Sequence, residues 1–359
     1  MRAAALAVAV ALAPAAGCGD DVVDPLSFAV DERGPYRTGY TELEISYQPP
    51  GQDEPRTVTM SVWYPTEDTE GYAPVYFDLF RDNDAFEDAT PAPPIHEGGY
   101  PVHVYSHGFM GFGGTSYNMM GYFASHGWVA AAPSHAGNLL FEPDEIATAL
   151  YYERSLDVSA TIDVLSDVAA LSDVALAGPV NIERVVMSGH SFGAFTTWAS
   201  AGAAFDEDVV RGRCDAGNVP SGTCTEAEIQ AMLAGVADDR IVAAIPMAGG
   251  DTGWFGPDGY DAVEVPVLLM TGTDDDVGAQ ALYDVADVDL TWIDVEGACH
   301  QTFALGGCAN LESEEGFAIV NTYAMAFARR YLLDDDAPRT VAIVDGTEIV
   351  SPRVAMVRK

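Results

Sequence analysis

The pentapeptide Gly189-His190-Ser191-Phe192-Gly193 sets a serine between two glycines in the G-x-S-x-G spacing, which presents a nucleophilic hydroxyl on a sharp strand-to-helix turn. Residues 182–188 before it are largely apolar and β-branched, as a buried strand requires, and residues 194–204 after it are small and helix-compatible. Glycines on both sides suit a turn in which a Cβ would strike neighbouring backbone. A serine hydroxyl attacks a carbonyl only when a positioned base takes its proton, so an acid and a histidine are needed further along. The apolar run 265–271 empties into Gly272-Thr273-Asp274-Asp275-Asp276, and the run 290–295 leads to Gly297-Ala298-Cys299-His300-Gln301-Thr302-Phe303. A carboxylate and His300 thus stand in loops after two successive strands, the end at which open α/β sheets place their chemistry. The chemistry available to this set is acyl transfer, with His300 as base to Ser191 and one of the three adjacent aspartates orienting its ring.

Acyl transfer also needs two backbone N–H groups aimed at the developing oxyanion, one of them from the residue after the nucleophile. Phe192 supplies that one. The strand at residues 100–105 runs into Ser106-His107-Gly108-Phe109-Met110-Gly111-Phe112-Gly113-Gly114, whose glycines let a second N–H turn toward the serine. Phe109 is the expected donor and Met110 the next choice; Met110 is also a candidate pocket residue. A further strand at 241–246 is followed by Asp251-Thr252-Gly253-Trp254-Phe255-Gly256, where Trp254 and Phe255 are candidates for the wall of an apolar acyl pocket. Between the serine and that strand lies an acidic insertion, residues 205–239. It contains Gly217, Pro220 and Gly222, then a helix over 225–233 with Thr225 as N-cap and Glu228 completing a capping box. It reads either as a cap over the substrate or as a surface excursion.

The order Ser, Asp, His is that of the α/β-hydrolases. The resemblance extends to Gly34-Pro35-Tyr36, Val62-Trp63-Tyr64-Pro65, Ser106-His107-Gly108-Phe109, Ala124-Ser125-His126-Gly127-Trp128-Val129 and Pro133-Ser134-His135-Ala136-Gly137-Asn138. With Glu153-Arg154-Ser155-Leu156-Asp157-Val158, the elbow and residues 297–303, these segments resemble the predicted dienelactone hydrolase and platelet-activating-factor acetylhydrolase group of bacterial α/β-hydrolases. The resemblance covers about residues 34–333 and implies a mostly parallel central sheet with helices on both faces. It also implies a carboxylic ester hydrolase with a triad on Ser191, Asp275 and His300, Asp275 being the third residue after Gly272. Cutinase-type polyester hydrolases share this layout. The implied substrates are small-molecule, lipid or polymeric esters: short-chain, lipid-acetyl, lactone or polyester. Ala194 departs from relatives that often carry a second glycine there. The same constellation would also serve an acyltransferase or a peptidase, and a non-catalytic surface-binding protein on the same fold is the other class.

No cofactor is expected. The H-x-x-x-H spacing of His103 and His107 lies on a strand and its exit loop, where about 3.3 Å per residue separates the rings too far for one ion. No C-x-x-C occurs, and the clusters 274–276 and 334–336 lack the spacing of a calcium loop. His103, His126, His135 and His190 read as hydrogen-bonded structural residues. Charge is lopsided: 16 basic against 55 acidic residues gives a net −39, with Lys359 the only lysine. Such a field repels nucleic acid and anionic membrane surfaces.

The amino-terminal residues bear on location. After Met1-Arg2 comes a short apolar stretch, residues 3–16, ending in Ala15-Ala16-Gly17-Cys18. Residues 1–17 read as a lipoprotein-type signal peptide, with Cys18 the lipidated residue and the only membrane attachment; plain secretion or a periplasmic location is the alternative. Removing Cys18 from the five cysteines leaves two close pairs, Cys214 with Cys224 and Cys299 with Cys308, each able to close a short loop in an oxidising compartment. Residues 18–33 are expected as an acidic tether, 34–335 as the catalytic domain and 336–359 as a carboxyl-terminal tail. Within the domain, strand-like alternation at 40–47 and 57–64 predicts an edge hairpin, and residues 316–333 an amphipathic closing helix.

Overall fold

The structure is a computed structural model that describes residues 24–50, 52, 54–143 and 146–359. In Val267-Leu268-Leu269-Met270, Leu268 and Met270 join one apolar core while Val267 and Leu269 join another. That division is what a strand buried on both faces must show, because successive side chains point to opposite sides of the sheet.

In chain order the strands are β1 (Arg37–Tyr47), β2 (Arg56–Thr66), β3 (Val75–Tyr76), β4 (Phe80–Arg81), β5 (Ala85–Glu87), β6 (Tyr100–Ser106), β7 (Val129–Ser134), β8 (Val180–His190), β9 (Ile241–Met247), β10 (Val267–Gly272), β11 (Leu290–Val295) and β12 (Val354–Arg358). The helices are α1 (Tyr117–Ser125), α2 (Leu150–Leu165), α3 (Val168–Leu171), α4 (Phe192–Ser200), α5 (Glu207–Asp215), α6 (Glu226–Leu233), α7 (Ala279–Val285), α8 (Ser313–Leu332) and α9 (Pro338–Val344). Among the described residues, ten strands form one sheet in the order β12-β11-β10-β9-β8-β6-β7-β2-β1-β5. The run from β7 to β11 is parallel, with antiparallel β12 added at one side and the antiparallel β2–β1 pair at the other. β3 and β4 form a separate small hairpin.

One face of the sheet is covered by α1, α8 and α9, through Met120, Phe123, Val320, Tyr323, Phe327 and Ile343. The other is covered by α2, α4, α5, α6 and α7, through Val158, Ile162, Trp198, Val210, Met232 and Leu282. This is the α/β-hydrolase architecture, with the chain reversing direction at the carboxyl ends of β8, β10 and β11 to build one shared edge.

Two expected boundaries are corrected. The segment read as a tether is packed against the domain from residue 24 onward: Tyr122 Oη donates to Val30 O at 2.8 Å, and the His126 ring N–H donates to Glu32 O at 2.9 Å. Arg329, buried in α8, donates to Phe28 O at 2.6 Å and to Leu26 O, and pairs with buried Asp335 at 2.7 Å. Acidic side chains suggested solvation, but the backbone carbonyls do the docking. The expected tail is α9 and β12, whose register pairs Val354 with Val295 and Arg358 with Thr291. The signal peptide and Cys18 lie outside the described residues.

Arg329→Met would leave Asp335 buried without its cation and release the segment around Leu26. We expect a loss of about 3–5 kcal/mol, seen as a lower urea midpoint; an unchanged midpoint would remove Arg329 from the stability of this corner.

Candidate active site

Ser191 sits at φ +58°, ψ −115°, a left-handed backbone that a non-glycine residue adopts only under constraint. The constraint is visible on both sides. A Cβ on Gly189 would lie 2.2 Å from Gly193 O, and one on Gly193 would lie 1.9 Å from Ser106 O. The Ser191 N–H is held by Met247 O at 2.9 Å, so β9 fixes the elbow that β8 and α4 create.

His300 opens a short 3-10 turn, His300–Phe303, after β11. Its Nδ1 donates to Asp275 Oδ2 at 2.7 Å, with Asp275 mostly buried and His300 more than a third exposed. In the neutral ring, donation from Nδ1 leaves Nε2 free to accept a proton. The neighbouring Asp274 turns elsewhere and accepts from Asn310 Nδ2 at 2.6 Å. What separates the two aspartates is a tight turn in which Asp275 N–H donates to Gly272 O at 3.0 Å.

Both expected disulfides are present, Cys214–Cys224 and Cys299–Cys308. They are the bonds of a chain matured in an oxidising, non-cytoplasmic compartment. The second ties down the residue immediately before His300. From below, the His190 ring N–H donates to His300 O at 2.9 Å, the two rings lying 4.6 Å apart. Burial, helped by the proximity of His300, pushes the His190 pKa down to about 3, so this ring stays neutral and serves as a prop.

The loop after β6 passes directly beside the serine, since a Cβ on Gly108 would come within 3.2 Å of Ser191 Cβ. Phe109 is 47% exposed, and Met110, the second candidate donor, has a left-handed backbone at φ +56°. Phe192 is the first residue of α4, where the backbone N–H precedes the first helical hydrogen bond.

Sequence reasoning missed what holds these two segments together. Arg154 in α2 is 1% exposed; it donates to Ser106 Oγ at 3.1 Å, Asn138 Oδ1 at 2.8 Å, Thr196 Oγ1 at 3.1 Å and His107 O, and lies 4.4 Å from the Phe192 ring centroid. Burial pulls its pKa down to about 9. Beside it, Asp157 accepts from His135 Nδ1 at 2.8 Å and from Arg56 at 2.8 and 2.9 Å. His135 Nε2 in turn accepts from Ser106 Oγ at 2.9 Å. His107 Nε2 accepts the His135 backbone N–H at 2.9 Å, which makes its Nδ1 the donor to Gly108 O at 2.8 Å. The available signal was Arg154 and Asp157 at i and i+3, two charges on the one helix face that the sheet covers.

Ser191 and His300 stand between two depressions. The larger, of about 410 Å³, runs past Met110, Phe112, Phe80 and Leu140. The smaller, of about 340 Å³, runs past Tyr151, Phe192, Phe195 and Asp251. Neither is lined by a lysine or arginine among the described residues. Trp254 and Phe255 line neither: both are 1% exposed core residues, Phe255 stacked on Phe195 at 4.9 Å and Trp254 against Tyr151 at 4.7 Å. They back the wall that Tyr151 and Phe195 form. The insertion 205–239 likewise contributes no lining residue; it packs behind Trp254, with the Arg213 guanidinium 4.5 Å from that ring, and carries the expected Thr225–Glu228 capping box.

No protein-family model matches the chain, and no curated protein does. Among solved structures the chain is similar to a ferulic acid esterase from Streptomyces cinnamoneus, at 19% identity and a TM-score of 0.61, over 92% of this chain and 98% of that one. The likeness is one of fold, and it agrees with the α/β-hydrolase architecture of the sheet.

Six histidines have their pKa depressed by burial: His103 and His190 to about 3, His126 to about 4, His96 below its ordinary value, and His107 and His135 well below theirs. In the unfolded chain they titrate near about 6.5, so below that pH the unfolded state binds the extra protons and stability falls with falling pH. Buried Glu42, Asp82, Glu153 and Asp157 are raised and act in the opposite sense. The histidines outnumber them and titrate first, so the melting temperature should drop steadily from about pH 7.5 to about pH 5.5. A flat profile across that window would contradict the neutral, buried assignment.

Proposed function

We propose that the chain is a serine-dependent carboxylic ester hydrolase working through an acyl-enzyme. The observation that carries this reading is the 2.7 Å contact from His300 Nδ1 to Asp275, in the same cleft as a serine held at a strained elbow. In the first step Ser191 Oγ bonds to the ester carbonyl carbon while its proton passes to His300 Nε2, and Asp275 stabilises the resulting imidazolium. The N–H groups of Phe192 and Phe109 hold the oxyanion. Collapse breaks the bond to the alcohol, which leaves with the proton from His300. Water then repeats the sequence on the acyl-serine, returning the proton to Ser191.

The absence of cationic side chains along both depressions, within a chain of net −39, favours neutral esters over anionic ones. Short-chain esters, acetylated lipids, lactones and polyesters all satisfy that condition, and the fold likeness to an esterase supports the reaction class. Export with a lipid anchor at Cys18 is the location that fits this activity and the two disulfides.

With p-nitrophenyl esters from acetyl upward, Ser191→Ala and His300→Ala should each lower kcat by about 10⁴-fold or more while the melting temperature holds, and Asp275→Asn by about 10⁴-fold. A Ser191→Ala protein retaining near-normal turnover would overturn the assignment. Reductant should lower activity before it unfolds the protein, because opening Cys299–Cys308 frees the His300 turn; kinetics indifferent to reduction would separate that disulfide from catalysis.

A further inference from the structure

Phe80 and Phe112 line the larger depression, and a chain of ring contacts continues outward from them. The Phe80 ring stacks on Phe112 at 5.5 Å and 24°, Phe112 stacks on Phe77 at 5.1 Å and 15°, and Phe77 stacks on Phe141 at 5.4 Å and 25°. Four near-parallel rings therefore run from the serine cleft out to Phe141, which is 72% exposed. Two more exposed apolar side chains, Leu79 at 53% and Phe109 at 47%, belong to the same hairpin and to the loop after β6. In a chain this acidic, apolar rings left in water at the mouth of a cleft mark a surface with an apolar partner.

Backbone conformation points the same way. Leu79 N–H donates to Tyr76 O at 3.0 Å, so Phe77 and Asp78 are the two central residues of a β-turn within the three-residue β3–β4 loop, with φ of +52° and +58°. Asn, Asp or Gly is preferred at such positions, and a bulky phenylalanine is an outlier there. Below the turn, Tyr76 is fixed in the core by Trp63 Nε1–H at 2.9 Å and by its own donation to Asp82 at 2.8 Å. The hairpin is thus clamped from beneath, and Phe77 is held over Phe112 against its backbone preference.

We propose that Phe77 and Phe141 are specificity residues of an extended subsite, and that the esters this site prefers carry a flat, uncharged aromatic ring on the arm lying along the Phe80–Phe112–Phe77–Phe141 strip. Offset stacking selects planar rings, and the lack of a lysine or arginine along the depression leaves nothing to pair with an anionic arm. The inference rests on the ester hydrolase reading above and names the substrate class of that site.

The test compares kcat/KM for ethyl 4-phenylbenzoate and ethyl hexanoate, followed by proton release, in the parent, Phe77→Asn, Phe141→Ala and Ser191→Ala proteins. Asn accepts the turn conformation, so Phe77→Asn keeps the hairpin, and circular dichroism checks that the fold is retained. The parent should prefer the aromatic ester; each phenylalanine variant should lose about tenfold on it, mainly through KM, while ethyl hexanoate stays within about twofold. No aromatic preference in the parent, or equal losses on both esters, would overturn the subsite while leaving the hydrolase reading intact. Absence of Ser191-dependent hydrolysis of either ester would overturn the hydrolase reading instead.

Discussion

A guanidinium without water must find its acceptors in the protein, and this requirement organises the ground beneath the site. Arg154 reaches the β6 exit loop through Ser106 and His107, the β7 exit loop through Asn138, and α4 through Thr196 and the face of Phe192. These are the segments that bring Phe109 and Phe192 to either side of Ser191. Removing one partner from such a buried set costs far more than a surface ion pair would yield, so the loops cannot drift independently. His135 and Asp157 extend the same logic downward, passing hydrogen bonds from Ser106 to Arg56 near the base of α2. The rigidity needed at the elbow is thereby supplied by polar satisfaction as well as by apolar packing.

Much of this was legible in the sequence where the requirement was local. The elbow announced itself because only glycine fits at 189 and 193, and the strands did so because apolar residues fall on both of their faces. The disulfides followed from pairs that were close along the chain. Asp274 and Asp275 could not be separated by type, because the choice lies in a turn hydrogen bond to Gly272 O. Trp254 and Phe255 were placed at the pocket although an aromatic side chain suits a core equally well, and here both are core. Residues 336–359 read only as a tail, because the partner of β12 is β11, some sixty positions earlier, and antiparallel pairing at that distance leaves no local trace. Arg154 was hidden for the opposite reason: a charge on a helix ordinarily signals solvent.

Residues 24–33 show how composition misleads about backbone. Their carboxylates do favour water, yet Leu26, Phe28, Val30 and Glu32 are held through their carbonyl oxygens by Arg329, Tyr122 and His126. Side-chain polarity predicts where side chains go; it says little about where the peptide groups find donors.

The position of Lys359 has a practical meaning. It follows Arg358, which pairs with Thr291 at the amino end of β11, and its own N–H donates to Leu290 O at 3.0 Å. Ser191, Asp275 and His300 all lie at the carboxyl ends of their strands, on the opposite edge of the sheet. Since Lys359 is the only lysine, chemistry directed at side-chain amines has one address, on the side of the molecule facing away from the cleft. Coupling this protein to a bead or an electrode through that amine would present every copy with its cleft outward, a uniform orientation that proteins with scattered lysines reach only after engineering.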